Sequence, residues 1–237
     1  MLFLRETHEV IGAREREFEA AFREVWWPAL GASPRARLLY YLRHAHGTGP
    51  SYHVVTWTAI QDGVALEELV RRVDAGDLRA ASRALDDLRH DVTGKLYVPL
   101  PWSPLQAVEL AAVPTTAAAE REAVVFMEDT VWPHEGRLEE YVEAAGSHYA
   151  REMREHDAQG HALLRVEASF RTAFGSHRRR EIVLWQRVVQ PRGLLPLLTR
   201  EVPEAYLQSG RWMHDALALR DRWESRLLRS AAWSPWP

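Results

Sequence analysis

Apolar residues in this chain alternate between two periods, one helical and one extended. Phe18, Ala21, Phe22, Val25 and Trp26 recur at three- and four-residue spacing, which lays one apolar stripe along a helix over residues 14–30. Before it, residues 2–10 form a β-rich run ended by Gly12. After it, Leu38 to Ala45 and Tyr52 to Ile60 read as strands around Gly47-Thr48-Gly49-Pro50, a turn composition. Helical spacing returns around Leu66, Leu69, Val70 and Val73, and again around Leu78, Ala81, Leu85 and Leu88. Lys95 to Leu100 closes the half as a strand, and Pro99 and Pro101 suit an edge. The second half predicts a helix over 137–154, strands over 163–173 and 180–189, a helix over 203–226, and a weak last strand near Leu227 to Ala232. Each half therefore reads strand, helix, strand, strand, helix, strand, which is the ferredoxin-like βαββαβ order of an α+β fold.

The halves also match residue by residue. Phe3-Leu4-Arg5-Glu6-Thr7 stands beside Phe126-Met127-Glu128-Asp129-Thr130 at an offset of 123 residues. Val54-Val55-Thr56-Trp57 stands beside Ile182-Val183-Leu184-Trp185 at 128, and Trp102-Ser103-Pro104 beside Trp233-Ser234-Pro235 at 131. Matches that stay in order over a whole half indicate an internal duplication. The expected organisation is a first unit over 1–105, a linker over 106–123 and a second unit over 124–237. A ferredoxin-like sheet has helices on one face only. Two units in tandem can cover each other's bare faces by packing sheet to sheet, as an α/β barrel within one chain.

Composition narrows the function classes. The chain has 237 residues, 46% of them hydrophobic and 27% charged, which is ordinary for a globular protein. A net charge of −3 argues against a nucleic-acid surface. No apolar run approaches the length of a membrane span. Zero cysteines exclude a disulfide, a thiolate metal site and a thiol nucleophile. The first residues turn charged at Arg5 and Glu6, too early for a signal peptide, so a cytoplasmic protein is expected. Ten tryptophans must be buried or line something. Gly-rich phosphate loops and Gly-x-Ser-x-Gly elbows are missing.

The opening LRETHEVIGARERE, the tryptophan late in the third strand of HVVTWTAI, and the closing YVPLPWSPL resemble the NIPSNAP-like branch of the dimeric α/β-barrel superfamily. The second half departs from it, with PHEGRLEEY where the first has IGAREREF and no PLP step. The resemblance implies sheet-to-sheet pairing, usually between two chains. It also implies a range from cofactor-free monooxygenases, cyclases and isomerases to haem enzymes and proteins without known activity.

Strand alternation nominates the residues between the sheets. In the second strand Leu38, Tyr40 and Leu42 match Val166, Ala168 and Phe170, an apolar set expected to face the helices. Tyr41, Arg43, Glu167, Ser169 and Arg171 are then expected to face the space between the sheets. In the third strand His53, Val55, Trp57 and Glu181, Val183, Trp185 face that space. The first strand is ambiguous: either Arg5 and Glu128 face inward, or Glu6, His8 and Asp129 do.

An interior of aromatic walls and ionisable groups suits a small-molecule pocket. Arg43 and Arg171 would anchor a ligand oxygen, or else pair with Glu167 or Glu181. His53 and Glu181 would transfer a proton, or else form an inert interior pair. Trp57 and Trp185 would be walls. His44-Ala45-His46 lacks a third ligand nearby, so no metal is expected. The reading is cofactor-free acid–base chemistry on a mostly apolar substrate: isomerisation, cyclisation, lyase or monooxygenase chemistry. The alternatives are a non-catalytic binding or assembly protein and, more weakly, haem binding. The expected partner is a small molecule, with no nucleic acid and no membrane. A homodimer is suggested by Trp26 and Trp27, expected on the helix surface.

Overall fold

A computed structural model describes residues 1–117, 120–175, 179–199, 203–204 and 207–236. It contains β1 (Leu2–Val10), α1 (residues 15–31), β2 (Ala36–His44), β3 (His53–Ile60), α2 (Gly63–Asp74), α3 (Arg79–Asp86) and β4 (Arg89–Pro99). There follow β5 (Val125–Pro133), α4, β6 (Leu164–Phe174), β7 (Ile182–Val188), α5 (Leu194–Thr199), α6 (Trp212–Asp215) and β8 (Arg220–Ser230). The fold is α+β, and its eight antiparallel strands close into one barrel in the order β1-β3-β2-β8-β5-β7-β6-β4. Four neighbouring strands come from each half of the chain. They meet at β2–β8 and β4–β6, where each sheet's edge finds a partner and no strand edge is left open.

Both long helices contain a widened turn at matched positions. Helix α1 runs through Glu15–Ala21, the π-turn Phe22–Trp26 and Trp27–Gly31. Helix α4 runs through Leu138–Ala144, the π-turn Ala145–Tyr149 and Ala150–Ala158. In each, an N–H reaches a carbonyl five residues back: Trp27 to Phe22, and Ala150 to Ala145. Such turns re-aim the side chains around them and occur often at functional sites. Helix α2 starts where Asp62 accepts a hydrogen bond from the Ala65 N–H, a side-chain cap.

The second strand of each half carries a bulge. Leu38 faces Thr58 and Tyr40 faces Trp57, so Leu39 is the extra residue. Val166 faces Gln186 and Ala168 faces Trp185, so Glu167 is its counterpart. One extra residue flips every later side chain to the other face. Tyr40, Leu42, Ala168 and Phe170 therefore join the interior cluster, to which all eight strands contribute. Tyr41 turns outward instead, with ring centroids 5.3 Å from Phe22 and 4.8 Å from Trp233. This corrects the alternation expected for Tyr41, Arg43, Ser169 and Arg171.

The matched Trp-Ser-Pro segments lock the bulges crosswise. Ser234 Oγ accepts the Tyr41 N–H at 3.1 Å, and Ser103 Oγ accepts the Ser169 N–H at 2.9 Å. Trp233 Nε1 donates to Glu19 of α1, and Trp102 Nε1 to the Val142 carbonyl of α4, both at 2.8 Å. Each half's closing segment thus packs on the other half's helix. Trp27 is buried against Trp233, with centroids 5.5 Å apart, and is not the surface residue expected.

The helix expected over 203–226 is also corrected. Residues 205 and 206 lie outside the described residues, and so do 177 and 178 of the basic run His177-Arg178-Arg179-Arg180. From Arg220 onward the chain is strand β8, paired with β5 from Val125–Arg229 to Pro133–Arg220. Arg, Glu and Leu favour a helix here, but pairing with a central strand overrides a weak local preference.

Candidate active site outside the barrel wall

The barrel interior is filled with rings. Trp57 stacks on Phe170 with centroids 5.0 Å apart, and Trp185 on Phe126 at 4.6 Å. At its centre Arg5 and Glu128, matched residues of the two halves, form a buried two-point ion pair at 2.7 and 2.8 Å. Burial opposes the Arg5 charge, but Glu128, with smaller contributions from Tyr97 and Glu181, more than offsets it, and the guanidinium pKa is raised. The inward set of the first strands is therefore Arg5 and Glu128. Glu6, His8 and Asp129 point the other way, under the helices.

His53 and Glu181 do face inward, as third-strand alternation predicts. They do not meet. The His53 ring lies 6.3 Å from the His44 ring. Glu181 is saturated by Lys95 Nζ at 2.8 and 2.9 Å, Tyr97 OH at 2.5 Å and Trp132 Nε1 at 3.1 Å. Glu167 pairs with Arg187 at 2.7 Å. Arg43 lies outside, 2.5 Å from Glu19, with its Nε 3.1 Å from Glu15 though not aligned to hydrogen-bond. Arg171 lies outside too, 3.1 Å from Glu139. Both arginines form ion pairs, but with helix residues and not with Glu167 or Glu181.

A cavity of about 520 Å³ opens between the outer face of β1, β3 and β4 and helices α1, α2 and α3. That lies within the roughly 300–1,000 Å³ of small-molecule sites. Its walls are mostly apolar: Phe22, Trp26 and Leu30 from α1, Leu66, Leu69, Val70 and Val73 from α2, and Leu4 and Leu96 from the sheet. Phe174, at the end of β6, is 76% exposed and brings the second half to the cavity. The π-turn of α1 places Phe22 and Trp26 at its two ends, and both face this space.

Glu6, His8, Thr58 and Arg89 are polar residues on the sheet side of the cavity, and Asp74, Ser82 and Asp86 line it from the helices. His8 is 1% exposed. Burial, and then the nearby Arg89, push its pKa down to about 3, so the ring is neutral at pH 7. Arg89 has only donors. Its Nη1 therefore donates to His8 Nδ1 at 2.6 Å, and the Nε2 hydrogen points to Thr56 Oγ1 at 3.2 Å. Asp86 holds the rest of the guanidinium at 3.0 and 2.5 Å. Among the described residues nothing donates a hydrogen bond to Glu6. Burial raises its pKa, and Arg89 opposes the rise. Protein atoms enclose this carboxyl while the cavity leaves it partly accessible.

The matched carboxyl of the second half is held by protein groups instead. Asp129, matched to Glu6, accepts from Gln186 Nε2 at 2.8 Å and from Ser225 Oγ. Tyr149, matched to Trp26, donates to Gln186 Oε1. Burial raises the Asp129 pKa against these hydrogen bonds.

Arg89, Asp86, Trp26 and Phe174 were not singled out from sequence as site residues. Arg89 begins β4 six residues before Lys95, where the extended pattern in the sequence starts, so strand alternation does not reach it. Among the described residues no group of three or more His, Asp or Glu could hold a metal ion, and no helix is long and apolar enough to cross a membrane.

An antiparallel eight-stranded barrel with helices outside is the architecture of dimeric α/β-barrel proteins, here within one chain. No family model and no curated protein matches the sequence. Solved structures do match. A candidate monooxygenase from Lactobacillus acidophilus NCFM is 8% identical, with 98% of this chain and 96% of that one covered and a TM-score of 0.56. An anthrone oxidase-like protein is 8% identical, with 97% and 91% covered and a TM-score of 0.57. A NIPSNAP domain protein from Burkholderia xenovorans is 19% identical over 44% of this chain and 99% of that one, with a TM-score of 0.36. The two full-length likenesses show the fold.

Proposed function

We propose that this chain binds a small, mostly apolar molecule in the cavity beneath α1, α2 and α3, and that Glu6 moves a proton on it. One observation carries this reading: Glu6 is an enclosed carboxyl with a raised pKa and, among the described residues, no donor, and it opens on a mostly apolar cavity of about 520 Å³. A carboxyl whose pKa is raised by burial is suited to general acid–base work. In its ionised form Glu6 takes a proton from a carbon or oxygen of the ligand. Arg89, fixed by Asp86 and His8, then faces the negative charge that develops on a neighbouring ligand oxygen. Return of the proton at another position completes an isomerisation with no co-reactant consumed. The names of the full-length structural neighbours, a candidate monooxygenase and an anthrone oxidase-like protein, also favour small-molecule chemistry.

The test is native mass spectrometry against a panel of ring compounds bearing a ketone or phenol, followed by chromatography of bound compounds for isomerised product. Retained binding with product lost in Glu6→Gln is the expected result. Binding should disappear in Val70→Trp, which fills the cavity from a half-exposed position. Ligands that bind Val70→Trp normally, or product that persists in Glu6→Gln, would sink the reading.

A further inference from the structure

We propose that the cleft where β2 meets β8 is a binding site for a phosphate-type oxyanion. The barrel closes there through the pairs Leu42–Ser230, Arg43–Arg229 and His44–Leu228. Two arginines thus stand directly opposite each other on adjacent strands. Like charges so placed destabilise a sheet unless negative charge comes between them. Glu19 and Glu15 of α1 neutralise Arg43. Among the described residues, neither Arg229 nor Arg16 has an ion pair or a side-chain hydrogen bond.

The surrounding elements gather these arginines into a concave site. Arg16, Ala20 and Arg23 follow one face of α1 at spacings of four and three residues, and that face turns toward the two strand arginines. Together they enclose a cleft of about 290 Å³, walled on the far side by the Ala231-Ala232-Trp233 segment. Four arginines line it against two carboxylates. One of these, Glu19, is already engaged by Arg43 and by Trp233 Nε1. The other, Glu120, faces Arg23, which also pairs with Glu24. Glu15 and Glu24 bring the carboxylates about these four arginines to four, all of them turned to Arg43 and Arg23, so among the described residues Arg16 and Arg229 are the two lining arginines without an ion pair. Guanidinium groups take phosphate oxygens two at a time, which suits a tetrahedral dianion better than a single carboxylate. An occupant would bridge α1 to the β2–β8 seam, so binding and barrel closure are coupled. The site is separate from the Glu6 cavity and does not depend on its chemistry.

The test is calorimetric titration of the full chain with inorganic phosphate, against potassium chloride at matched ionic strength. Saturable one-to-one binding is expected. It should weaken at least tenfold in Arg16→Gln/Arg229→Gln and stay unchanged in Arg171→Gln, which lies on the other half. A melting series supplies a second readout. In Arg229→Gln the phosphate-free Tm should hold or rise, because repulsion with Arg43 is gone, while the phosphate-induced rise shrinks. An arginine that only supported the fold would lower the phosphate-free Tm. No saturable heat, or wild-type affinity in the double variant, overturns the proposal. Should the double variant not fold, Arg229→Gln alone decides it.

Discussion

On the first-half face of the barrel, Glu6 opens on a cavity walled by Phe22 and Trp26. On the second-half face its counterpart Asp129 is held by Ser225 and Gln186, and Tyr149 closes the network from the helix. Both carboxyls have raised pKa values because both are buried. Burial alone therefore does not distinguish the two faces. The difference lies in who supplies the hydrogen bonds. Asp129 receives them from the protein and serves cohesion. Among the described residues Glu6 receives none, and it borders the cavity. The widened helical turns contribute to the contrast, because one presents Phe22 and Trp26 where the other presents Ala145 and Tyr149.

That contrast can be broken or sharpened by substitution. The central ion pair sets the upper scale. Glu128→Ala leaves Arg5 buried and unpaired, and should cost about 3–5 kcal/mol in urea unfolding. A loss below about 1 kcal/mol would mean the barrel centre admits water. Asp129→Ala strands Gln186 and Ser225 and should cost about 1–3 kcal/mol by the same assay. Glu6→Gln should stay within about 0.5 kcal/mol, since Glu6 has no hydrogen-bond partner among the described residues. Equal losses at Glu6 and Asp129 would erase the distinction between the two faces.

Protonation sharpens it further. The folded pKa of His8 is about 3, below its ordinary 6.5. Between these values the unfolded chain binds more protons than the folded one, so stability falls as pH drops from about 6.5 toward 3. This one site contributes up to about 1.4 kcal/mol per pH unit. Unfolding curves at pH 4, 5, 6 and 7 should show a shallower loss in His8→Gln, and an unchanged slope would refute the neutral-ring assignment. Glu6 has the opposite sign. Its folded pKa is raised, so its contribution is present below the ordinary carboxylate range and is lost as pH rises through the raised value. The smallest expected effect is therefore a slight gain for Glu6→Gln at pH 7 that vanishes at pH 4.

Much of this arrangement could be read from residues alone. The matched runs beginning at Phe3 and Phe126 announced two similar halves, and helical and extended spacing set their element order. Third-strand alternation correctly turned His53, Trp57, Glu181 and Trp185 inward, because period-two alternation is local and no bulge interrupts those strands. The matched Trp-Ser-Pro segments hinted at a shared packing role. Tertiary structure decided the rest. A bulge at Leu39 and another at Glu167 reversed the second strands, and nothing in LLYYL or VEASF reveals a residue that will lie unpaired. Which face of β1 meets a cavity depends on helix side chains distant in sequence, since an empty volume exists only where neighbours fail to fill it. Strand β8 became a strand because β5 offered it unpaired backbone groups. Alternation and helical spacing belong to the chain itself, whereas cavities, bulges and strand partners arise only when distant segments compete for the same space.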